Sequence, residues 1–105
     1  MAKSYNIVFS SRVDKMVTDH VSFIARVSIS AAKQFRRELA DILKRIEDNP
    51  YQFPVDTDLN LPEDMYRKAL FAKRYKVLFM LENQTVYVDA IVDCRQNLTD
   101  FEAMH

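Results

Sequence analysis

The chain contains no glycine, and no other feature constrains it as much. Glycine enters left-handed backbone without steric cost, so its absence hands every tight turn to Asn, Asp, Ser and Pro. It also removes the phosphate cradles that need a backbone without side chains, the P-loop and the dinucleotide fingerprint among them. No cofactor is expected from such a sequence.

At 105 residues the chain fits one domain, 1–105. Its apolar fraction of 49% supplies a single core. Lysine and arginine balance aspartate and glutamate to a net charge of zero, so overall charge selects neither nucleic acid nor membrane. Any such signal must come from local clustering. One cysteine, Cys94, forms no internal disulfide and points to a reducing cytosol. The opening MAKSYNIVFSS shows neither a long apolar run nor a cleavage pattern, and no stretch approaches a membrane span. The expectation is a soluble, cytoplasmic protein.

Periodicity orders the elements. Tyr5 to Phe9 reads as a strand, followed by Ser10 or Ser11 as a helix cap with Asp14 in the first turn. Val13, Met16, Val17, His20, Val21, Ile24 and Val27 make one face of that helix. Ser28 or Ser30 caps a second helix of about 18 residues, whose Ala32, Phe35, Leu39, Ile42, Leu43 and Ile46 face the core. Lys33, Arg36, Arg37, Glu38, Lys44, Arg45 and Glu47 lie opposite, and Asn49-Pro50 stops the helix. The short break between the two makes an antiparallel helical hairpin.

Residues 50–64 hold all three prolines and four acids, and read as a loop. Three strand-like runs follow: Met65 to Phe71, Tyr75 to Leu81 and Thr85 to Val92, the last two joined by a Glu82-Asn83-Gln84 turn. With no helix between them they form an antiparallel meander, one face on the helices and the other open to a partner. The fold class is therefore α+β, in the order β-α-α-β-β-β, with an antiparallel sheet and the hairpin packed on one face.

The run from Arg67 to Lys76 holds Arg67, Lys68, Lys73, Arg74 and Lys76 with no acid among them, and Arg95 follows the last strand. Such a cluster is either a phosphate-contacting surface or a solvated face balanced by the acidic loop before it. His20 lies on the apolar stripe and reads as a packing residue. His105 reads as a tail residue. One cysteine and two distant histidines make no familiar metal site, and Cys94 reads as a buried small hydrophobe.

Three runs together resemble the RelE/ParE (plasmid stabilisation) toxins of type II toxin–antitoxin systems: YNIVFSS, SFIARVSISAAKQFRRELADILKRIEDNPYQFP and MYRKALFAKRYKVLFMLENQTVYVDAIVDCRQ. The resemblance covers residues 5–96. It implies a growth-inhibiting toxin neutralised by a cognate antitoxin, commonly in a toxin–antitoxin heterotetramer, with DNA gyrase (ParE-like) or ribosome-bound mRNA (RelE-like) as target. By strand position Arg67, Lys76 and Arg95 match the cations of the RelE-like nucleases. Lys68, Lys73, Arg74 and Phe101 are the further binding candidates. Two positions depart from the nuclease pattern: Ala69 stands for its second lysine and Phe101 for its catalytic tyrosine. Phenylalanine stacks on a base but exchanges no proton, and lysine at 76 lacks the guanidinium fork. These departures leave the chain's status as a metal-independent endoribonuclease open and favour the gyrase target. An inactive relative that only binds an antitoxin is the third reading.

Overall fold

The structure is a computed structural model that describes residues 4–58 and 60–95. Strand β1 spans Asn6–Phe9, helix α1 Val13–Ala25 and helix α2 Ile29–Asp48. Strands β2 (Arg67–Phe71), β3 (Tyr75–Glu82) and β4 (Thr85–Asp93) follow, after a 3-10 turn at Pro50–Gln52. The strands form one sheet in the order β1-β4-β3-β2.

The sheet is mixed, which corrects the expected all-antiparallel arrangement. β2, β3 and β4 form the antiparallel meander, but β1 pairs in parallel with β4, Asn6 opposite Thr85 through Phe9 opposite Val88. The physical reason lies in the connection. Parallel neighbours need a long crossover, and here everything between β1 and β4 supplies it.

Helix α2 forms because Ser28 accepts the Ala31 N–H at 3.0 Å and because its apolar stripe has somewhere to go. Ala32 is buried, and Phe35, Leu39, Ile42 and Ile46 pack in one cluster with Ala69, Phe71, Tyr75, Val77, Phe79, Val86, Val88 and Ile91 of the sheet. Each large side chain fully buried there contributes about 1.5–3 kcal/mol. Helix α1 departs from its expected start and end. Its N-cap is Arg12, with no side-chain cap bond, because the Ser10 hydroxyl is spent on the Asp89 carbonyl. The helix ends at Ala25, which leaves Val27 87% exposed instead of on the buried stripe.

A second, smaller cluster covers the other face: Met16, Leu61, Tyr66, Leu78, Ala90 and Val92, with Met80 against it. The chain's own loop thus occupies part of the face expected to meet a partner. Turn chemistry follows the absence of glycine only in part. Asn83 and Asp64 take left-handed backbone as expected, but so do Ala72 and Lys73, at φ 51° and 68°. Left-handed backbone costs a non-glycine residue about 1–2 kcal/mol. The buried Phe71 and Tyr75 on either side hold the hairpin closed over it.

Candidate functional site

Strand alternation sends successive side chains to opposite faces, and this separates the sequence-derived cations. Ala69 and Phe71 belong to the helix-side core, so Arg67 shares that side. Its Nη1 donates to the Phe53 carbonyl at 2.6 Å, and its guanidinium lies 5.2 Å from the Tyr51 ring. Lys76 alternates with Tyr75 and Val77 and lies with Leu78 on the opposite face. It is buried, and its Nζ donates to Asp56 Oδ2 at 2.6 Å.

Arg95 sits just past β4 and turns back onto Asp93, with Nη2 to Oδ2 at 3.2 Å and its backbone N–H to Oδ1 at 3.0 Å. Arg74 reaches the same carboxylate at 3.8 Å, while its guanidinium lies over Tyr75. The structure therefore brings Arg74 and Arg95 together on Asp93, in the same end of the sheet as Lys76. Arg67 pairs with Phe79, four positions along β3 from the Tyr75–Asp93 pair, or roughly 13 Å. Lys73 is exposed on the strained turn, and Lys68 is half-buried, its charge felt at Asp56. Phe101 and His105 lie outside the described residues.

Counter-ions set the electrostatics. Burial alone would raise Asp56, but the Lys76 hydrogen bond, the Asp58 N–H and the charges of Lys76 and Lys68 outweigh it and hold the carboxyl below its usual value. Asp93 behaves alike: burial raises it, and the Arg95 bonds and the Arg95 and Arg74 charges lower it further. Cys94 is exposed, not buried as its residue type suggested. Partial desolvation still pushes its thiol up, against the charges of Lys76 and Lys68. The loop beside this end encloses a cavity of about 410 Å³ lined by Asp56, Thr57, Asp58, Leu61, Glu63 and Asp64. Four of its six lining residues are acids, so it disfavours a phosphate.

Sequence reasoning missed a second polar cluster. A β-bulge makes the β3–β4 register step over Asp89, from Phe79↔Val88 to Leu78↔Ala90. Arg12 donates from Nη2 to Asp89 Oδ1 and Tyr66 donates its hydroxyl to Oδ2, both at 2.6 Å. Ser10 and Arg12 also bond the Asp89 carbonyl, and His20 Nε2 donates to the Ile91 carbonyl at 2.8 Å. Beyond the end of β1, where no described strand covers β4, these side chains satisfy its Asp89 and Ile91 carbonyls. Burial, the Asp89 bond and the Asp89 charge push Tyr66 up to about 12, so its hydroxyl keeps its proton at neutral pH. The available signal was an aspartate inside the apolar run VYVDAIV. His20 also packs against Phe35 and Tyr75, at ring separations of 6.1 and 5.1 Å.

Among the described residues no group of three His, Cys, Asp or Glu stands close enough to hold a metal ion, and no helix is long and apolar enough to cross a membrane. No protein-family model and no curated protein sequence matches the chain. In structure it is similar to a chain of the chromosomal ParDE TA system from P. aeruginosa, with a TM-score of 0.68 at 8% identity. The likeness covers 86% of this chain and 96% of that one. A mixed four-stranded sheet backed by a helical hairpin, in this order and over this extent, is the RelE/ParE-like fold.

Proposed function

We propose that this chain is the toxin of a toxin–antitoxin pair, restrained by a cognate antitoxin and acting on DNA gyrase in the cytoplasm by surface binding. The observation that carries the reading is the match in fold to 96% of a chain from a ParDE system. The engagement of the sheet cations supports binding over RNA cleavage. Arg67 and Lys76 point to opposite faces, and Lys76 and Arg95 each hold a carboxylate of their own chain. Cleavage of RNA needs cations converging on one phosphate together with a proton donor and acceptor. Tyr66, committed to Asp89, is a poor acid at neutral pH.

Two features suit an antitoxin. Val8, Tyr87 and Met80 lie in register across β1, β4 and β3, and Val8 and Tyr87 are exposed. Pro54 and Asp56 bond the start of β2's outer edge, while Leu70 further along is 62% exposed. An amphipathic segment across the first and a strand added at the second are standard modes of peptide capture. A toxin–antitoxin heterotetramer would follow if the antitoxin is itself a dimer.

Induction of the chain in cells tests the reading. Growth arrest with filamentation, an SOS response and intact mRNA is expected, and Arg67→Ala/Arg95→Ala should remain toxic. Rapid mRNA loss with ribosome-dependent cleavage ends would overturn gyrase in favour of RNA. Normal growth at high expression would overturn the toxin assignment itself.

A further inference from the structure

The turn of the helical hairpin combines two features. Phe23, Val27 and Ile29 are 55%, 87% and 67% exposed within seven positions of one another. Single exposed apolar side chains are ordinary. Together the three expose on the order of 350 Å², the size of the largest apolar patch on a typical monomer, which is often functional.

Charge is the second feature. From His20 to Arg37 the sequence holds four cations, Arg26, Lys33, Arg36 and Arg37, and no acid. All four are exposed, and among the described residues none makes an ion pair. Arg37 bonds only the neutral Gln34 amide. The first turn of α2 also lacks the acid that would complement its positive end. By helical geometry Lys33, Arg36 and Arg37 fall within about 80° of Ile29, on the side away from the buried Phe35 and Ile42.

Resting on the toxin reading, we propose that this turn is where the chain grips its target, by way of an acidic, amphipathic protein segment lying along α2. Apolar residues of that segment cover Phe23, Val27 and Ile29, and its carboxylates meet the four cations. Ile29 to Arg37 spans about 12 Å along the helix axis. A flat lipid surface touched by the turn end-on would leave Arg36 and Arg37 behind, whereas an elongated segment reaches all four. A nucleic-acid backbone would leave the central apolar residues unused.

The test measures binding of the full chain to three probes: a synthetic peptide of about four helical turns with Glu on one face and Leu on the other, phosphatidylglycerol vesicles, and single-stranded RNA. The peptide should bind best, roughly tenfold tighter than its Lys-for-Glu counterpart, with affinity falling as salt rises. Arg36→Glu/Arg37→Glu should reverse the preference between the two peptides, and Val27→Ser/Ile29→Ser should weaken both without lowering the melting temperature. Tighter binding to vesicles or RNA, or equal binding of both peptides, overturns the proposal. In cells, both double variants should lose growth inhibition while the wild type keeps it, and variants that stay fully toxic also overturn it. A wild type that binds the acidic peptide yet leaves growth unaffected counts against the toxin reading and leaves the surface standing.

Discussion

The end of the sheet and the turn of the hairpin are both rich in cations, yet they treat them in opposite ways. At the sheet, Lys76 is closed onto Asp56, and Arg74 and Arg95 onto Asp93. At the hairpin turn, Arg26, Lys33, Arg36 and Arg37 stand exposed beside uncovered apolar side chains. The lesson is that a run of basic residues marks a binding surface only where the fold leaves the charge uncompensated. The run Arg67–Lys76 looks the more functional in sequence, and much of it is used internally.

The strongest way to break this comparison is to remove a counter-ion from the sheet. Asp56→Ala leaves Lys76 buried without its partner and should cost about 3–5 kcal/mol in a urea melt. Asp56→Leu/Lys76→Met should recover most of it. A loss below about 1 kcal/mol for the single variant would mean that the pair is not a structural element. The pH dependence has a definite sign. Asp56 and Asp93 are lowered on folding, so their contribution is complete above the unfolded carboxylate value of about 4 and is lost as pH falls through the lower folded values. The urea midpoint should therefore hold steady from neutral pH down to about 4 and drop below it.

Tyr66→Phe comes next in size. It removes a bond to the charged Asp89 carboxylate and should cost about 1.5–3 kcal/mol. A third variant acts in the other direction. Lys73→Gly relieves left-handed backbone at φ 68° and should stabilise by about 1 kcal/mol. No gain would show that the turn tolerates lysine without strain. The smallest effect is expected at the other region of the comparison. Arg36→Glu/Arg37→Glu should shift stability by less than about 0.5 kcal/mol, because neither side chain is ion-paired or buried. A large loss there would show that those cations are structural as well.

The elements with strong periodicity were legible in the sequence. The buried stripe of α2, the Ser28 cap, the three-strand meander and the Asn83 turn all follow from spacing and side-chain chemistry. What could not be read depends on partners distant in sequence. Nothing in Asn6–Phe9 specifies a parallel partner about 80 residues on. Ser10 is a good helix cap by type, and only the β-bulge at Asp89 diverts its hydroxyl. The same limit applies to the candidate site. Basic residues are visible in sequence, but their counter-ions Asp56 and Asp93 come from a loop and from the end of another strand. Exposure of Val27 depends on where α1 ends, which its apolar spacing alone put further along.

The parallel pairing of β1 with β4 fixes an order of events during synthesis. Asn6–Phe9 leaves the ribosome well before the strand it docks on, Thr85–Asp93, has been made. A nascent chain can form its local hairpins on the way, whereas contacts of such long sequence separation close slowly and late. The finished sheet, with every surface built on it, therefore exists only once translation has passed β4.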